Sequence, residues 1–203
     1  MKQTKFSLFF IFFALLLASC GSKDESETIS REEAIESLLE KQIDLNAEGV
    51  LTFMIADRLD VVDLMLIAGI NPNAIVMEAP LLVWASSMGK TEAVRLLLRH
   101  GARVNIRDKG VSPLMIAAME GHEHVVSELL AHNANIDLQN ENGMTALMSA
   151  AYGGHHEIVR KLLRQGANAD LEMLNGMNAE ELAESEGHLQ TALLLREHRN
   201  AVF

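Results

Sequence analysis

The chain has 203 residues, 49% hydrophobic and 22% charged, which supplies enough apolar material for a core and excludes wholesale disorder. Its formal charge is −11, and a single Cys excludes an internal disulfide framework or a multi-Cys zinc site. Lys2 and Lys5 are the only charged residues before Cys20, and without them 15 basic side chains face 28 acidic ones, a net −13 that disfavours nucleic acid as a partner.

Met1–Lys5 is a short basic lead, and Phe6–Leu17 is an apolar run broken only by Ser7. That run holds five of the nine aromatic residues, so no stacking set for single strands is left. As a helix it would span ~18 Å at ~1.5 Å per residue, short of a ~30 Å hydrocarbon core. It reads as the apolar stretch of an export signal. Leu17-Ala18-Ser19-Cys20 resembles the lipobox of bacterial lipoproteins. The resemblance implies cleavage before Cys20 and acylation of its thiol and new amine. Residues 1–19 are then a signal peptide, and residues 20–29 are the lipidated Cys and a tether. Several acyl chains at ~0.8 kcal/mol per buried CH₂ would hold the protein to a bilayer. The competing reading is an ordinary export signal with Cys20 incidental.

Gly21–Glu27 is small, polar and charged, as suits a flexible linker. Gly21 is not Asp, which among enteric-type lipoproteins favours the outer membrane. Lys23-Asp24-Glu25 resembles the Lys-acid-acid address that sends some lipoproteins to the cell surface. Two placements in a bacterial envelope follow, the periplasmic face or the outer surface.

The remainder repeats with a period near 33. Gly110, Gly143 and Gly176 are 33 apart, as are Ala117, Ala150 and Ala183, and so are the pairs Gly121-His122, Gly154-His155 and Gly187-His188. Ala85, Gly89 and Gly69 precede their counterparts by 32. Self-similarity of this period marks a stacked solenoid. The unit Gly143–Asn168 resembles the ankyrin repeat, and its neighbour carries Gly110-Val111-Ser112-Pro113-Leu114, Ala117-Ala118, Gly121-His122, Val125-Val126 and Leu129-Leu130 in register. The resemblance implies an all-α solenoid of helix-turn-helix units with projecting hairpin loops.

Each position has a physical reading. Ser112 and Thr145 are N-cap hydroxyls, and Pro113 stands at the first helical position, where its missing N–H costs nothing. Leu114, Ala117 and Ala118 share one face of the first helix, and small Ala residues allow close stacking. Gly121, Gly154 and Gly187 end that helix with a left-handed residue. The second helix presents Val125, Val126, Leu129 and Leu130 to the same core. Gly101 and Gly166 close second helices, and Asn133 takes that place once.

Ser30 and Glu33 form a capping box that opens a helix expected over 33–42. Asn178 and Glu181 form another. Glu180, Glu184 and Arg196 stand where repeats carry apolar residues, which suits the solvent face of a terminal cap. The expected divisions are a cap helix at 30–45, repeats at 46–77, 78–109, 110–142 and 143–175, and a C-terminal cap at 176–203.

Chemistry finds little footing. His122, His155 and His188 line up along the stack, but helices ~8–10 Å apart cannot easily share an ion that holds His nitrogens at ~2.0–2.1 Å. The ankyrin pattern assigns these rings to the turn. No phosphate-binding Gly loop or nucleophile elbow occurs in the sequence, so no cofactor, metal, catalysis or small-molecule substrate is expected.

Ankyrin repeats usually dock a protein in a concave groove, through hairpin tips and the residues before the Gly-His turn. Carried onto this sequence, those positions are Val76, Met77, Ser87, Met88, Lys109, Val111, Met119, Glu120, Glu141, Asn142, Met144, Tyr152, Gly153, Leu174, Asn175 and Met177. Eight are apolar, and Tyr152 is a ninth if its ring is counted, which suits a docking surface. The alternative is that some of the Met side chains pack between repeats. Met115, Met148 and Trp84 are expected in the core. The implied function is a non-catalytic scaffold or adaptor whose partner carries a basic patch. A second reading is a protective partner of an exported enzyme, since some small exported ankyrin proteins support periplasmic haem enzymes. A third, more remote reading is a metal-binding protein or an enzyme.

Overall fold

The computed structural model describes residues 29–201, and Cys20 with residues 1–19, expected from the sequence to be an export signal, lies outside them. Eleven helices account for most of this span. Helix α1 (Arg31–Glu40) stands alone at the start. Five helix pairs follow: α2 (Ala47–Ile55) with α3 (Leu59–Ile67), α4 (Leu81–Ser87) with α5 (Thr91–Arg99), α6 (Pro113–Met119) with α7 (Glu123–Ala131), α8 (Ala146–Tyr152) with α9 (His156–Arg164), and α10 (Ala179–Ser185) with α11 (Leu189–Ala201). One short antiparallel hairpin, β1 (Ile75–Val76) and β2 (Ala79–Pro80), pairs Ile75 with Pro80 and Val76 with Ala79. A single bridge between Asp108 and Val111 marks the same place one repeat later.

The helix starts follow from their caps. Ser30 accepts from the Glu33 N–H at 3.2 Å while its own N–H donates to the Glu33 carboxylate at 2.8 Å. With Ser30 as the cap, the helix begins at Arg31, two residues before the sequence suggests. It has ended before Gln42, which is left-handed at φ 55°. Ser112, Thr145 and Asn178 each accept from the N–H three residues on, at 3.1–3.2 Å. Asn133 takes φ 60°, as its place among glycines requires.

Packing follows the repeat. Ala85, Ala117, Ala150 and Ala183 are fully buried, one on each of α4, α6, α8 and α10. Leu97, Leu129 and Leu162 are buried on the second helices, each worth ~1.5–3 kcal/mol in transfer from water. Met115 and Met148 are core residues as expected, and Trp84 is half-buried with its Nε1–H donating to the Val76 carbonyl at 2.9 Å. Successive loops are laced by one recurring bond. Asn73, Asn105 and Asp137 accept from the backbone N–H of Arg103, Asn135 and Asn168 at 2.7–2.9 Å.

The C-terminal cap differs from the sequence reading. Glu180 is buried, not displayed, and its carboxylate pairs with Arg196 at 2.7 Å and Arg199 at 2.8 Å. Arg196 also reaches Glu184. A carboxylate in that place requires neutralisation, and two guanidinium groups from α11 supply it.

Candidate functional site

Two of the turn histidines, His122 and His155, are structural side chains with identifiable tasks. The His122 ring Nε2–H donates to the Ser87 carbonyl at 2.9 Å, and the His155 Nε2–H donates to the Met119 carbonyl at 2.8 Å. Each ring therefore satisfies a carbonyl at the end of the previous repeat's first helix, where the helix itself leaves acceptors unpaired. The same bonds fix the row Ser87-Met88, Met119-Glu120 and Tyr152-Gly153 in register. No group of three or more His, Cys, Asp or Glu side chains is placed to share a metal ion among the described residues.

A second row is formed by the hairpin tips. Lys109 Nζ sits 2.8 Å from the Glu78 carboxylate of the preceding tip. The Leu174 N–H donates to the Asn142 carbonyl at 2.9 Å, and Gln139 Nε2 donates to the Glu172 carbonyl at 3.1 Å. Met77 and Glu78 are both left-handed, at φ 48° and 71°, as a two-residue turn between twisted strands requires. Neither is Gly, so the first tip holds a conformation that costs an ordinary residue ~1–2 kcal/mol.

Placement separates the expected docking residues into groups. Met77 is 76% exposed, Leu174 82% and Tyr152 43%. Lys109, Glu120, Glu141, Asn142 and Asn175 are exposed polar groups along the same rows. Met88, Val111, Met144 and Met177 are half-buried and pack against the core, the three Met side chains in the way the alternative reading expects. Met119 is half-buried.

Val76 contradicts the expectation. Only 4% of it is exposed, and its neighbour Ile75 is 68% exposed instead. Successive strand residues point to opposite faces, so a one-residue offset exchanges an inward side chain for an outward one. Ile75 was missed for that reason, and strand alternation was the signal available. The surface has a polar, acidic centre with apolar side chains at both ends, Ile75 and Met77 at one and Leu174 at the other.

The model of the family described as ankyrin repeats, in three copies, matches residues 54–140 and 114–202. The chain belongs to the ankyrin-repeat family. Among curated proteins, ankyrin-region similarity extends to the phosphate system positive regulatory protein PHO81 of Saccharomyces cerevisiae, 39% identical over 57 residues. That match covers 27% of this chain and 5% of the yeast protein. Alpha-latrocrustotoxin-Lt1a of Latrodectus tredecimguttatus is 28% identical over 137 residues, 63% of this chain and 10% of the toxin. Glycerophosphocholine phosphodiesterase gde1 of Schizosaccharomyces pombe is 33% identical over 97 residues, 46% of this chain and 8% of the enzyme. The chain spans a tenth or less of each relative, so the likeness concerns repeats and not whole proteins. Ankyrin repeats are protein-interaction modules and are generally non-catalytic, and that is the class of function this family membership carries.

Proposed function

We propose that the chain is a protein-binding module of a bacterial envelope, lipid-anchored through Cys20, which receives a protein partner along its hairpin tips and first-helix ends. The observation that carries the docking face is the exposure of Met77, Ile75 and Leu174 at tips that the fold holds in register. Large apolar side chains held outward on ordered turns are suited to enter a partner's pockets. Between them Glu78, Glu120, Glu141 and Glu172 are exposed, and Lys109, the cation of that row, is neutralised by Glu78. A partner with basic residues between two apolar contacts fits this pattern. The anchor rests on the sequence alone.

Photo-crosslinking tests the docking face. A photoreactive residue at Met77 or Leu174 should join a discrete partner protein in envelope preparations, and the same residue at Arg99 should not. Equal yields at all three positions would remove the support for this face. For the anchor, Cys20→Ser should abolish lipid labelling and release the protein from the membrane fraction. A variant still processed and still membrane-bound would contradict lipidation at Cys20.

A further inference from the structure

The second helices are joined by a ladder of polar and ionic side-chain pairs that fails at its last step. Asp63 on α3 meets His100, the residue that caps the C-terminal end of α5, at 2.7 Å, Arg95 on α5 meets Glu128 on α7 at 2.9 Å, and Glu123 on α7 meets Lys161 on α9 at 2.7 Å. Between α9 and α11 no ion pair forms among the described residues. A cleft of about 280 Å³ lies there, lined by Arg160, Leu163 and Arg164 of α9 and by Leu194 and His198 of α11. Its lining contains two guanidinium groups, an imidazole and two Leu side chains but no carboxylate. Arg160 donates to His156 Nε2 at 2.7 Å and lies 3.4 Å from Glu157, whereas Arg164 and His198 have no hydrogen bond or ion pair among the described residues. The two Arg residues on α11, Arg196 and Arg199, are engaged with Glu180.

We propose that this cleft binds a phosphate group, as inorganic phosphate or as the monoester of a small molecule. Two permanently charged guanidinium groups favour a dianion, and their N–H forks match oxyanion geometry. The Leu163 and Leu194 floor would hold an apolar substituent on that phosphate, and the volume, just below the ~300–1,000 Å³ of ordinary ligand pockets, limits the ligand to a small one. In a body this acidic, the cleft is a local exception to the overall charge. It lies on the second helices, away from the hairpin tips, so its ligand and the protein partner do not compete for residues.

Calorimetry on the full chain at ~150 mM salt, a Debye length of ~8 Å, tests this with inorganic phosphate and phenyl phosphate. Both should bind saturably at one site, phenyl phosphate the more tightly. Arg164→Gln should weaken binding at least tenfold, and Arg99→Gln, an exposed Arg on α5, should not. His198→Glu places the missing acid opposite Arg160 and Arg164, so it should abolish binding and raise the melting temperature. Displacement of phenyl phosphate by phosphatidic acid vesicles, but not by phosphatidylcholine vesicles, would identify a lipid headgroup as the source of the same phosphate. Absence of saturable binding would overturn the proposal. So would equal losses in the Arg164 and Arg99 variants, or a His198→Glu protein that melts lower.

Discussion

At the scale of single residues, the Gly-His pair ties one repeat to the next. Gly121 has φ 79°, and a Cβ placed on it would lie 2.5 Å from the His155 ring. That ring in turn holds the Met119 carbonyl. Gly166 is also left-handed, at φ 87°, but a Cβ there would meet nothing within 4 Å. Gly166→Ala should therefore cost ~1–2 kcal/mol from backbone strain alone. Gly121→Ala should cost ~1–3 kcal/mol more, because the ring must move and leave a carbonyl unpaired. Urea denaturation of the two variants checks the difference, and equal losses would refute the role given to His155. The recurrence of these pairs was plain in the sequence. That each ring reaches back to the previous repeat was not, because spacing gives register but not the direction of a side chain.

For the helices and loops, periodicity was the stronger guide. The buried Ala85, Ala117, Ala150 and Ala183 are legible because a small residue every 32 or 33 positions is what close stacking demands. The first hairpin was harder to read. It places Met77 and Glu78 where later repeats have Lys109-Gly110, so the usual Gly is missing and strand alternation alone separates Val76 from Ile75. Glu180 was misread because a polar residue at an apolar position suggests solvent, whereas Arg196 and Arg199 on a later helix cover it.

Charged elements also set the acid response. The capping bond from Ser30 holds the Glu33 carboxyl below its ordinary range, Lys161 does the same for Glu123, and Arg58 lowers Asp60 to about 2. Each folded-state value lies below the unfolded one. Their stabilisation is therefore present above the unfolded carboxylate range, ~3.9–4.3, and is lost as pH falls through the folded values. The urea midpoint should decline as pH drops from about 4.5 toward 2, and Asp60→Asn should flatten the lower end of that decline. All three groups are exposed, so added salt should reduce the slope. A midpoint that stays constant over this range would contradict these assignments.

Taken as a whole, the molecule is a stack of helix pairs whose inner order comes from sequence repetition and whose individuality lies in exposed tips. Repetition makes the fold readable and partner identity unreadable, because only a few surface side chains distinguish one repeat protein from another. The most direct test of the docking face is affinity for the crosslinked partner in the full chain with Met77→Asp and Leu174→Asp combined. Both side chains are largely exposed, so the melting temperature should hold. Binding should weaken at least tenfold, ~1.4 kcal/mol, while Arg99→Ala with Gln190→Ala on second helices binds as the unaltered protein does. Unchanged affinity in the tip variant, with loss in the second-helix variant, would place the partner on the opposite face and contradict the account.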